Sequence, residues 1–158
     1  MRTGEEPTVT SGDVDIEAEV EKAAEYWARQ QERSSSDIPL TVLAISQTGQ
    51  RIIIGFADGM TDAIRPHFGR VVRQAVGERI EAFVSISTAW YSSRSDIRPS
   101  DDPEAGEVLM VYGANRQGQR AFRAYQMLRF GDEVRLRRLD WEMDETYSPT
   151  FQQILEEG

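Results

Sequence analysis

Apolar residues recur at helical spacing in two stretches, and shorter apolar stretches between and after them read as strands. Ile16, Val20, Ala23 and Trp27 make one narrow stripe at steps of four and three, the spacing of a helix face. Asp13 is placed to cap that helix. Asp15, Glu17 and Glu19 suit its positive start, and Arg29 and Arg33 suit its end. Ser34-Ser35-Ser36-Asp37 and Pro39 prevent its continuation. Residues 60–76 carry the second helical pattern, with Met60, Ile64, Phe68, Val71, Val72 and Ala75 on one face and Gly77 as its C-terminal cap. Pro66 interrupts it, so either a helix starts with Pro66 at its first position or a longer helix kinks there.

The strand-like stretches lie between and after these helices. Residues 40–45 and 51–56 are strongly apolar and flank Gln47-Thr48-Gly49-Gln50, a hairpin pattern. Residues 80–91 alternate, with Ile80, Ala82, Val84 and Ile86 forming a fully apolar face against Glu81, Phe83, Ser85 and Ser87. Residues 107–114 and 119–130 flank Asn115-Arg116-Gln117-Gly118, a second hairpin. Gly131-Asp132 turns the chain into a third, over 133–141. A short C-terminal helix is expected after Pro149, with Phe151, Ile154 and Leu155 facing the body.

Successive hairpins imply a mainly antiparallel sheet. The helix at 60–77 crosses over, and a right-handed connection there would add one parallel pair. The expected fold is therefore α+β: a single two-layer domain with a mainly antiparallel (mixed) sheet of five to six strands and two main helices packed on it. Residues 1–12 read as a flexible tail and 13–158 as the domain.

Composition narrows the function. The chain has 158 residues, 39% of them apolar, enough for one core. It has no cysteine, which excludes disulfides, thiolate catalysis and cysteine-bound zinc. Its first residues lack the apolar core of a secretion signal, and no apolar run approaches the ~18 residues of a membrane span, so the expected compartment is cytoplasmic. The net charge is −9, with acidic ends around a slightly basic middle. That balance argues against nucleic acid and membrane surfaces as partners. Lys22 is the only lysine among eighteen basic residues, a bias assigned to base composition because the arginines are dispersed.

Candidate chemistry is sparse. His67 is the only histidine, and Asp58 and Asp62 lie near it. A one-histidine, two-carboxylate iron or manganese site is conceivable, but a five-residue step from Asp62 separates the groups around a helix, so no metal is assigned and His67 is read as exposed. Ser85, Ser87, Thr88, Ser92 and Ser93 lack a nucleophile elbow and read as strand hydroxyls. The acidic loop holding Asp101, Asp102 and Glu104, joined to Trp90 and Tyr91, is the first candidate surface, because loops on a rigid sheet commonly carry function. Arg123 and Tyr125 form a second, on a strand face shared with Met127 and Arg129. A two-residue turn at Gly131-Asp132 sets Arg123 opposite Asp140 and Tyr125 opposite Arg138. This face is expected to be solvated or a dimer interface, since Arg, Tyr and Met are enriched in interface cores. No phosphate-binding or dinucleotide-binding glycine loop is present, and no cofactor is expected.

Ser85-Ile86-Ser87-Thr88-Ala89-Trp90, then Pro99-Ser100-Asp101-Asp102-Pro103-Glu104 and a strand from Glu107, resembles a group of small uncharacterised prokaryotic proteins. In them a strand ends in a Ser-Glu-Ala-Trp-like tetrapeptide, and a Pro-Ser-Glu-Asp-Pro-like loop and a hairpin follow. The resemblance covers roughly residues 80–140, with Thr88 where the acid would stand. It implies the strand–loop–hairpin layout, draws attention to Trp90, and implies no activity. The functional expectation is a non-catalytic accessory or protein-interaction module that forms a homodimer. The alternatives are a small hydrolase or metal-dependent enzyme using the loop at 99–107, and an acidic immunity or inhibitor protein whose carboxylates cover a basic partner.

Overall fold

The first helix, α1, spans Ile16–Arg33. Its cap is Asp15, not Asp13, which lies outside the described residues; Asp15 Oδ1 accepts from the Ala18 amide at 3.2 Å. Glu17 and Glu19 follow in the first turn, where their charge favours the helix start. At the other end the buried Gln31 accepts from the Ile38 amide (3.3 Å) and donates to the Ser34 carbonyl (3.2 Å), so one side chain ties the helix exit to the next segment. The computed structural model describes residues 14–34, 38–56, 63, 65–91, 106–140 and 153–155.

Strands β1 (Thr41–Ser46) and β2 (Arg51–Gly55) form the first hairpin. A 3-10 turn over Arg65–His67 contains Pro66, and helix α2 begins after it, at Phe68, and runs to Val76. The proline therefore precedes the α-helix and neither starts nor kinks it. Gly77 ends the helix at φ +80°, a left-handed conformation that a Cβ would strain. Met60 and Ile64, assigned to this helix face from sequence, lie outside the described residues. Strands β3 (Ile80–Tyr91), β4 (Gly106–Asn115), β5 (Arg120–Phe130) and β6 (Glu133–Leu139) complete the chain order.

The described residues form one six-stranded sheet in the order β2-β1-β3-β4-β5-β6, every pair antiparallel. The parallel pair expected across α2 is absent among them. The chain leaves β2 and returns on the far side of β1, where β3 pairs with β1 and runs the opposite way.

The α+β class holds, with two helices packed on the sheet, but the two-layer arrangement needs correction. The helices take opposite faces. On one face α1 covers Val84, Leu109, Val111 and Met127. On the other, α2 covers Val42, Phe83 and Tyr112, joined by Ile154 from the C-terminal segment. Strand β3 is thus buried on both sides, and the face expected to be polar is closed as well. Its polar side chains are satisfied locally: Ser85 donates to the Tyr112 carbonyl at 3.3 Å, and Glu81 pairs with Arg79 at 3.0 Å. Residues 153–155 make a turn against α2, held by Arg116 donating to the Leu155 carbonyl at 2.6 Å. The rest of the expected C-terminal helix, Phe151 included, lies outside the described residues.

Candidate binding groove beside strand β2

Helix α1 packs along β3, β4, β5 and β6 and stops short of covering the β1–β2 hairpin. The wedge left between them is a groove of about 470 Å³. Its floor follows from strand register. Leu43 on β1 and Ile53 on β2 are directly opposite, so their side chains share a face, and Ile86 opposes Thr41 on the next pair. Its helical wall is set by spacing. Glu19, Lys22, Ala23 and Tyr26 recur at steps of three, one and three along one flank of α1, with Trp27 beside them. The Tyr26 and Trp27 rings meet edge to face, centroids 5.2 Å apart.

An ion pair closes one end. Arg51 on the outer strand donates to both carboxylate oxygens of Glu19, one bond measuring 2.8 Å. The paired geometry suits a guanidinium and fastens the edge hairpin to α1. The Arg51 hydrogen bond holds the Glu19 carboxyl below its ordinary range against the opposing effect of burial, and Lys22 adds attraction. Lys22 stands at the rim. Among the described residues it has no ion-pair or hydrogen-bond partner.

The sign of the Glu19 shift sets an acid dependence. A carboxyl whose folded-state value is lowered stabilises the fold fully above its unfolded value, ~4.3, and loses that contribution as pH falls through the folded value. Glu21, lowered by its hydrogen bond to Arg123, acts in the same direction. Melting temperatures of the wild type are therefore expected to fall on acidification from about pH 5 to pH 3, and Glu19→Gln should show a shallower fall. Parallel curves for the two proteins would remove the Glu19–Arg51 clasp as a stabilising element.

The groove is not where sequence reasoning placed the site. Arg123 and Tyr125 do share a strand face with Met127, and Tyr125 does oppose Arg138. But this face is roofed by α1 and is not open sheet. Tyr125 is 9% exposed, and burial raises its phenol above the ordinary value. Arg123 donates to Glu21 and Glu17 of α1, each at 2.7 Å, and Arg138 adds a second bond to Glu21 at 3.2 Å. The predicted pair of Arg123 with Asp140 falls one step beyond the ladder, which ends at Ala124–Leu139. The acids that draw these arginines are on the helix, a partner that strand register could not reveal.

Trp90 and Tyr91 end β3, opposite Glu107 and Gly106 of β4. Their side chains, and Asp101, Asp102 and Glu104, lie outside the described residues. His67 is exposed, with Nδ1 2.9 Å from Arg70, and the described residues hold no cluster of three metal-ligating side chains. Two signals in the sequence pointed to the groove without locating it: the unbroken Ile52-Ile53-Ile54 run and the solitary lysine at position 22. Comparison with protein-family models, curated proteins and solved structures finds no match.

Proposed function

We propose that this protein is a non-catalytic interaction module that pairs with a second copy of itself through the outer edge of β2. The observation that carries this reading is Ile53, 65% exposed at the middle of the strand that forms the sheet edge among the described residues. Edge strands offer unpaired backbone groups, and proteins usually blunt them with charge. The opposite edge is blunted: β6 carries Glu133, Arg135, Arg137 and Arg138, all exposed. Strand β2 instead reads Arg-Ile-Ile-Ile-Gly.

The backbone favours a symmetric pair. The Phe56 amide bonds the Leu40 carbonyl and the Ser46 amide bonds the Gln50 carbonyl. Alternation from these two bonds turns the backbone groups of Arg51, Ile53 and Gly55 outward. A two-fold axis at Ile53 would set Ile53 opposite its own copy, Ile52 opposite Ile54, and Arg51 opposite Gly55. Apolar side chains then meet on both faces, the self-complementarity that a two-fold contact requires. Gly55 leaves the space opposite Arg51 open.

Ile53→Lys is expected to convert a dimer to a monomer in sedimentation at micromolar concentration, with unchanged secondary structure, because the new charge would face its own copy across the axis. A wild type that sediments only as monomer at that concentration would sink the reading. A variant that remains dimeric would move the interface off β2.

A further inference from the structure

We infer that the groove between α1 and the β1–β2 hairpin binds a small amphipathic anion, an alkyl or aryl carboxylate, with its apolar part against Trp27, Leu43 and Ile86 and its head group at Lys22. The inference goes beyond self-pairing, which runs along the backbone edge of β2 and shares only the Ile53 and Arg51 side chains with the groove.

Size and chemistry lead to this ligand class. At about 470 Å³ the groove falls within the range of small-molecule sites, which are mostly apolar with a few polar groups that fix orientation. Its wall is aromatic on the helix side and aliphatic on the sheet side, so a chain or ring can lie between the two surfaces. Tyr26, 54% exposed, forms the outer lip. Charge then selects the head group. The chain carries −9 overall, yet the ionic residues of the groove are Glu19, Arg51 and Lys22, which leaves a net positive charge there. Glu19 and Arg51 neutralise each other through two hydrogen bonds. Lys22 is the cation left over, on the same flank of α1 as Tyr26, one turn away. An ammonium at the rim of an apolar groove complements a carboxylate whose chain enters the groove. A cationic amphiphile would meet Lys22 as a like charge, and a neutral alcohol would gain only the apolar part.

The test uses the full-length wild type and calorimetric titration with octanoate, decanoate and dodecanoate, each below its aggregation concentration, alongside decanol and decyltrimethylammonium. Saturable binding of decanoate is expected, with affinity rising about fourfold for each added methylene as apolar surface is buried. Lys22→Gln should weaken decanoate about three- to fivefold and leave decanol unchanged, the scale of an exposed ion pair. Trp27 fluorescence should shift on binding and lose that response in Trp27→Phe. Equal affinity for decanoate and decanol, an unchanged decanoate affinity in Lys22→Gln, or tighter binding of the cation would overturn the inference, as would no saturable binding at all.

Gly55→Pro separates this inference from self-pairing, because position 55 lies on the outward backbone edge and does not line the groove. Decanoate binding to wild type and Gly55→Pro alike supports the site whether or not the chain dimerises. Binding only to Gly55→Pro would overturn it and assign the groove to the second copy.

Discussion

Phe83→Ala is expected to destabilise the protein by about 3–5 kcal/mol, the range for removing a fully buried phenyl ring. Phe83 is at the centre of the α2 side of the sheet and has no exposure. Its ring meets Tyr112 edge to face at 5.7 Å, an arrangement that adds to the area it buries. Neighbours have little freedom to collapse into the space. Val42, Ala44 and Ala114 are held on paired strands, and Phe68 is already engaged with Phe56, centroids 5.2 Å apart. The loss is a large part of the roughly 5–15 kcal/mol that holds an ordinary domain together. Urea unfolding should show a lower midpoint with the slope unchanged. A shift below about 1 kcal/mol would mean that the α2 layer is not packed on the sheet as described.

Gly113→Val is expected to cost about 3 kcal/mol by the opposite route, overpacking the α1 side. A Cβ at position 113 would lie 2.5 Å from Val20 Cγ2 and 3.2 Å from the Phe83 carbonyl oxygen. Val20 is fully buried on α1 and is stiff at its first torsion, so relief requires the helix to move. Glycine at 113 is what lets α1 approach the sheet this closely. The test is a double-mutant cycle. Val20→Ala should destabilise the wild type but cost less, or stabilise, when Gly113→Val is present, because it removes the clashing methyls. Additive effects would show that the two positions do not touch.

The two substitutions act on opposite faces of one sheet, and the layering was the largest part of the fold that sequence reading missed. Strand positions were legible because apolar alternation and turn residues act over a few neighbours. Residues 80–91 were read as the strand that is now β3, and both later hairpins fell where Gly118 and Gly131 allow a turn. The register Tyr125–Arg138 also followed from turn length alone. Helix placement is different. Alternation separates the faces of a strand, but β3, β4 and β5 are buried on both, polar residues such as Glu81 and Ser85 included, so the pattern carries no mark of which helix covers which face.

The candidate site was less legible for the same reason. Arg123 and Tyr125 were correctly placed on a strand face, yet whether that face meets water depends on Glu17 and Glu21, about a hundred residues earlier, reaching it from α1. Conversely, Lys22 looked like a compositional accident because only the packed structure sets it beside Leu43, Ile53 and Ile86.

By itself the sequence determined most elements: two helices, their stops at Ser34 and Gly77, five to six strands, three hairpins, and an α+β class without cysteine chemistry. Those features depend on local backbone preference and near-neighbour periodicity, which any short window contains. Tertiary structure alone decided that the helices take opposite faces, that β3 runs antiparallel beside β1, and that α1 leaves the β1–β2 hairpin uncovered. These outcomes turn on where long-range apolar surfaces come to rest, on one close approach at Gly113, and on ion pairs between segments far apart in the chain.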